Sequence, residues 1–270
     1  MPSIEDLIAS FVERWPVIWA FDTGRYLIAA TLMVTILAVG RRTGLALRRI
    51  QDRAVTAADR RREILASLRS ATVFSLMGFG VHQAATRGCF TIYTDFQIAG
   101  PAYALAMLPA VIVAQDAYFY WTHRLMHHRL LFKRFHLLHH RSISPTPWAA
   151  YAFAVPEAVV QGAFLPLMLC FVPLHAVTIF AWMAVQIVRN VMGHAGVEVH
   201  PKGMARSRWF GWNNTTTHHD MHHQTGRHNF GFYFTWWDRL MGTEDPRYAA
   251  LAGRPVAQLP DGRQCHATER

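Results

Sequence analysis

The sequence predicts an all-α protein: a polytopic membrane bundle of about four to five spans with a cytoplasmic, histidine-rich, metal-binding cap. Three observations predict it. Hydrophobic residues make up 52% of the 270 and charged residues only 16%, well below the roughly 25% of an ordinary soluble domain. Several runs carry no charge and approach bilayer length. Most of the sixteen histidines fall in three clusters at helical spacing.

Residues 26–40 form the first uncharged run. It spans a bilayer if the helix begins near Trp19 and tolerates Asp22 and Arg25 at its outer end. Residues 41–69 follow, with nine arginines against Asp52, Asp59 and Glu63. Residues 70–86 are uncharged, with His82 late in the run, and read as a tilted span or a re-entrant segment. Residues 96–115 are a clearer span. Residues 158–188 are uncharged and long, and Pro166 and Pro173 interrupt them. A helical hairpin is expected there, roughly 153–172 and 174–189, turning near Pro173. From His194 onward the chain is polar and rich in Trp and Gly, as expected of a cap.

The net charge is +10, almost all of it arginine. With uncharged runs beside it, this charge fits anionic headgroups and membrane topology better than nucleic acid. The positive-inside rule puts residues 41–69 on the cytoplasmic side. Two spans later, Arg124, Arg129, Lys133, Arg134 and Arg141 return to it, and the hairpin delivers His194 to the same face. Cys89, Cys170 and Cys265 are far apart and form neither a disulfide framework nor a thiolate site. Glu5, Asp6 and Glu13 precede any apolar run, so no secretory signal is expected.

The first cluster is His123-Arg-Leu-Met-His127-His128, the second His136-Leu-Leu-His139-His140, the third His218-His219-Asp-Met-His222-His223. Positions i, i+3 and i+4 share a helix face, so each cluster is expected to aim two or three imidazoles at one point. Neutral imidazole suits Fe and Zn. So many imidazoles exceed one ordinary zinc site, and two ions are expected. His194, after Gln186 and Asn190 at i+4 steps, is a further candidate ligand. His128 and His218 are surplus members of their clusters. His228 is left undecided. His82, His175, His200 and His266 are read as structural.

Asp116, Asn190 and Asp220 are the candidate catalytic residues around the ligands. Asp116 could accept a hydrogen bond from the far nitrogen of a ligand imidazole, or be a charge at a helix end. Asn190 could be a weak ligand or hold a water. Glu157 is a lone charge near the start of a membrane helix, where ionisable groups are costly and often functional. Trp148, Trp209, Trp212, Trp236 and Trp237 read as an interfacial belt.

The boxes HRLMH, HLLHH and HDMHH, with DAYFYWTHR, HHRSISPTPW, NVMGHAG and NFGFYFTWWDRLMGT, resemble the fatty acid hydroxylase/sterol desaturase superfamily of membrane di-iron enzymes. The resemblance covers about residues 93–244. It implies a catalytic domain there, after N-terminal spans and a basic loop over 1–92 and before a tail over 245–270. It implies ligands at His123, His127, His136, His139, His140, His194, His219, His222 and His223. Some members carry a full HxxxH where this chain has Asn190-Val-Met-Gly-His194, so that shell would be more open, or be completed by water or His218.

The resemblance further implies O2-dependent hydroxylation or desaturation of a lipid by two Fe ions, zinc being the ion that purification could leave instead. No flavin, haem or Fe–S motif stands in the sequence. A separate electron donor is therefore expected: a ferredoxin, a cytochrome b5-like protein or a reductase. The membrane would be the inner membrane of a bacterium or the endoplasmic reticulum of a eukaryote. The alternatives are a zinc-dependent membrane hydrolase, for which the HExxH helix is missing, and a metal-binding membrane protein without chemistry.

Overall fold

The computed structural model describes residues 3–43 and 48–253; His266 and Cys265 lie outside them. Four helices are long and apolar enough to cross a membrane: α1 (Ile4–Arg42), α2 (Ala57–Thr86), α3 (Gly100–Met126) and, later in the chain, Ala176–Gly193. Between α3 and that last span lie short pieces: α4 (Phe132–Phe135), α5 (Leu137–His140), a 3-10 turn (Pro147–Tyr151), α6 (Val155–Gly162) and α7 (Phe164–Leu169). The last span is α8. Beyond it, α9 (Thr216–Thr225) and α10 (Trp236–Leu240) belong to the cap.

On α1, Ile28, Leu32, Ile36 and Val39 are more than half exposed, whereas Tyr26, Ala30 and Leu37 are buried. An apolar stripe of that size facing outward has lipid, not water, as its compatible solvent. Of this inner stripe, Tyr26 and Ala30 pack with Tyr151, Phe153, Ala158, Ile187 and Val191, and Leu37 with Ala195 and Val197. Polar side chains pin α1 to α2: Trp15 Nε1 donates to Ser75 Oγ and Trp19 Nε1 to Thr72 Oγ1, both at 3.0 Å.

Two pairs of very short strands staple the two ends of the bundle. Arg48–Arg49 pairs antiparallel with Val197–Glu198, bringing the end of α1 and the start of α2 beside the exit of α8. At the other end, Ile92–Tyr93 pairs parallel with Leu174–His175, where α2 ends and α8 begins. The described residues of the basic 41–69 segment and the three histidine clusters therefore lie at one end of the bundle.

Two expectations are corrected. α1 begins at Ile4, not near Trp19. A Ser3 capping box starts it: the hydroxyl accepts the Asp6 N–H while the Asp6 carboxylate accepts the Ser3 N–H. Asp22 and Arg25 consequently sit mid-helix rather than at an outer end; Asp22 is buried, Arg25 is partly so, and they pair at 2.9 Å, with Tyr151 Oη also 2.9 Å from the guanidinium.

The first limb of the expected hairpin is not a continuous helix. Pro166 has no N–H to give the Gly162 carbonyl, and the segment breaks at Ala163 into α6 and α7. Gly162 is also where α2 approaches closely, since a Cβ there would lie 2.6 Å from Met77 Sδ.

Candidate metal centre

The histidine-bearing elements are set by local rules. α3 carries His123 in its last turn, and His127 caps it, its N–H bonding the His123 carbonyl at 3.2 Å. The one-turn α5 puts His136 and His140 in register, His140 N–H donating to His136 O at 3.2 Å. His194 caps α8 and turns its Nδ1 back onto Asn190 O at 2.7 Å. α9 closes at Gly226, whose φ of 62° suits glycine.

The start of α9 is held from below by Glu198. One of its oxygens accepts from Thr217 N (2.9 Å) and Thr217 Oγ1 (2.6 Å). The other accepts from His200 N and Nδ1. Burial would raise this carboxyl, but these donors hold it down at about 2.

Nine imidazoles converge as two groups: His123, His127, His136, His140 and His222 in one, His139, His194, His219 and His223 in the other. Within each group the donor atoms lie within 4.8 Å of one another. The groups adjoin, the His140 and His223 rings being 5.0 Å apart.

Each cluster does aim two imidazoles at one point, but the second and third clusters also supply the other group. The second cluster sends His136 and His140 to one group and His139 to the other. The third sends His222 to the first and His219 and His223 to the second. Residues i and i+4 share a face, whereas adjacent residues are about 100° apart around a helix. The double-His ends therefore straddle two points.

The donor set fits cations. His123 Nδ1 donates to Phe230 O (2.9 Å) and His136 Nδ1 to Glu157 Oε1 (2.7 Å). His222 Nδ1 donates to His228 O at 2.7 Å. Each neutral ring spends its proton on the outside, so its Nε2 lone pair faces inward. His123 Nε2 and His136 Nε2 then confront each other at 2.9 Å, and His219 Nε2 and His194 Nε2 lie 3.1 Å apart. Facing lone pairs in a buried site repel unless a positive ion lies among them. Donors about 2.1 Å from such an ion and at right angles would be about 3.0 Å apart.

Burial holds these rings neutral. It pulls His140 down to about 3 and His194 to about 4, and His136, His139, His219, His222 and His223 well below the usual histidine range. Neutral imidazole is the ligating form.

His218 stands apart from both groups. It is fully buried, packs against Tyr248 with ring centroids 4.8 Å apart, and its Nε2 lies 3.6 Å from Asp238 Oδ2. Asp116 does not meet an imidazole; its Oδ1 accepts the N–H of Tyr233 (2.7 Å) and Phe234 (3.1 Å), fixing the loop that follows α9. Asp220 accepts from Gln51 Nε2 (2.7 Å) and Gln224 Nε2 (2.8 Å), and burial pushes it up to about 7 against those bonds. Asn190 is buried and offers its carbonyl to His194.

Among the described residues, the carboxylate that meets an imidazole of the two groups is Glu157, for which its isolation in an apolar run was the sequence signal. Gln51, Glu198 and the carbonyl of Phe230 left no signal. His128 is exposed, as a surplus member would be. Trp209 is 68% exposed, whereas Trp237 stacks on Tyr120.

Fold and site thus define a helical membrane protein with two adjoining all-imidazole groups at one end of its bundle. The fatty acid hydroxylase family model matches residues 108–243, and the chain belongs to that family. It is similar to the Delta(7)-sterol 5(6)-desaturase erg31 of Schizosaccharomyces pombe, 30% identical over 66% of this chain and 57% of that protein. It is also similar to the C-4 methylsterol oxidase erg25 of the same yeast, 33% identical over 53% of this chain and 48% of that protein. Methylsterol monooxygenase 1 of Gallus gallus is 29% identical over 52% of this chain and 46% of its own length. The chain spans about half the length of these relatives. No solved structure matches it.

Proposed function

We propose that the protein is a membrane oxidoreductase that uses two irons and O2 to hydroxylate or desaturate a lipid. The observation that carries this reading is the pair of adjoining imidazole groups at the head of a mostly apolar cavity, whose polar lining is the Asp22–Arg25 pair, Tyr151 and the amides of Gln115, Gln161, Gln186 and Asn190. His123, His127, His136, His140 and His222 would hold one ion, and His139, His194, His219 and His223 the other. Bound iron would supply the redox chemistry needed to attack an unactivated C–H bond with O2.

The cavity, of about 100 Å3, lies between α1, α2, α3, α6 and α8. Its lining includes Phe119, whose ring is 4.9 Å from His123, and Phe153, whose ring is 5.2 Å from His139. One apolar wall therefore touches both groups. Phe74, Met77, Val81, Leu165 and Trp182 continue it into the bundle, suited to a hydrocarbon and to keeping water from the reacting carbon. The names of the relatives favour a lipid substrate. Glu157 and the Phe230, His228 and Asn190 carbonyls orient the rings. A separate protein would deliver electrons, docking on the basic surface around Arg124, Arg129 and Arg134, which the positive-inside rule puts in the cytoplasm.

The test is metal content after anaerobic purification, with O2 uptake measured after chemical reduction. About two irons per chain and reductant-dependent uptake are expected. Tightly held zinc that iron cannot replace, with no uptake, would overturn the reading.

A further inference from the structure

A second cavity, of about 600 Å3, opens at the clustered end of the bundle and plays no part in the chemistry above. Arg41, Arg49, Arg53 and Arg60 line it, and no carboxylate does. Apart from Gln51 and Thr146 its other walls are apolar, with Val34, Leu37 and Ala38 from the last turns of α1, Val55, Trp148 and Val197 among them. The volume is that of a small-molecule site.

The guanidiniums are only partly used. Arg49 bonds the Gln51 and Asp52 carbonyls, and Arg53 shares Asp59 with Arg62. Arg41 and Arg60 enter no salt bridge among the described residues. Topology explains why arginines sit at this end of the bundle, because it depends on their number. It does not explain why four of them surround one concave space with an apolar wall. Unpaired positive charge around a cavity raises the local concentration of anions.

We propose that this cavity binds the phosphate headgroup of an anionic phospholipid. The phosphate would sit among Arg41, Arg49, Arg53 and Arg60, and guanidinium forks match phosphate oxygens in charge and geometry. The acyl chains would leave past Val34 and Ala38, on the flank of α1 between its buried stripe and its outward-facing one. A free phosphate would use the arginines but not that wall. The site also reaches the metal centre, because Gln51 lines it and donates to Asp220 in the third cluster.

The test uses the full chain in neutral detergent doped with phosphatidylglycerol or phosphatidylcholine, with native mass spectrometry reading the lipid retained. Wild-type protein should retain phosphatidylglycerol in preference, and Arg41→Gln/Arg60→Gln should weaken that retention by about tenfold or more. Arg14→Gln/Arg87→Gln removes the same charge at the opposite end of the bundle and should leave retention unchanged. Thermal unfolding of each variant separates loss of the site from loss of the fold, and single Arg41→Gln and Arg60→Gln chains replace the double variant if it is unstable. Equal retention by the Arg41/Arg60 and control variants would overturn the proposal. Full displacement of the lipid by millimolar inorganic phosphate would also overturn it, assigning the site to the free anion.

Discussion

His136 donates from Nδ1 to Glu157 Oε1 at 2.7 Å, with both side chains almost wholly buried. The bond leaves His136 Nε2 bare and pointing at its partners. It also joins α6, part of the membrane core, to the short helix of the second cluster. Glu157→Leu should lower metal affinity by about 10–100-fold. Glu157→Gln, whose amide oxygen still accepts, should keep most of it. Chelator competition measures both, and equal affinity in the Leu variant would remove Glu157 from the site.

His139 and His222 belong to different groups. His139→Ala and His222→Ala should each abolish product while leaving the helical content of the membrane part intact. Each should also lose roughly one of two ions, which metal analysis per chain would detect. Full turnover in either variant would sink the ligand assignment.

The metal-free protein should lose stability on acidification. His140 and His194 are held near about 3 and about 4 by burial, below the roughly 6.5 of an unfolded histidine. Between those values the unfolded chain binds more protons, so stability is greatest above about pH 6.5 and falls as pH drops toward the folded values. Thermal unfolding of the apo form in detergent at about pH 8 and about pH 5.5 reads this. A melting temperature that stays level or rises on acidification would contradict it.

The Asp22–Arg25 pair lies inside the bundle with little exposure. Arg25→Ala strands Asp22 and should cost about 3–5 kcal/mol. Replacing both with apolar residues should restore much of that. A double-mutant cycle in detergent checks the coupling.

Gly162 sits where α6 meets Met77 beside the apolar cavity. Gly162→Leu should narrow the cavity, raising KM for the lipid or moving the site of attack, with metal content unchanged. Unaltered kinetics and regiochemistry would argue that the substrate lies elsewhere.

The all-α membrane class, the three clusters and His194 as a further candidate were legible in the sequence because each rests on local spacing or on charge-free length. The start of α1 at Ile4 was missed because Asp22 and Arg25 read as an outer end. Their burial depends on Tyr151, 126 residues from Arg25. The break at Ala163 hid behind Pro166, which signalled interruption but not that the limb would become two short helices.

Helical periodicity and charge-free length are properties of one segment, so the first determined that histidines share helix faces and the second that the protein is a membrane bundle. Periodicity could not decide which imidazole joins which group. His140 faces His222 across 82 residues, and His219 faces His194 across 25. Nor could it pair His136 with Glu157, or gather four arginines around one cavity. Those pairings depend on how α3, α5, α6, α8 and α9 pack with one another and with α1 and α2, and only the tertiary structure decides that.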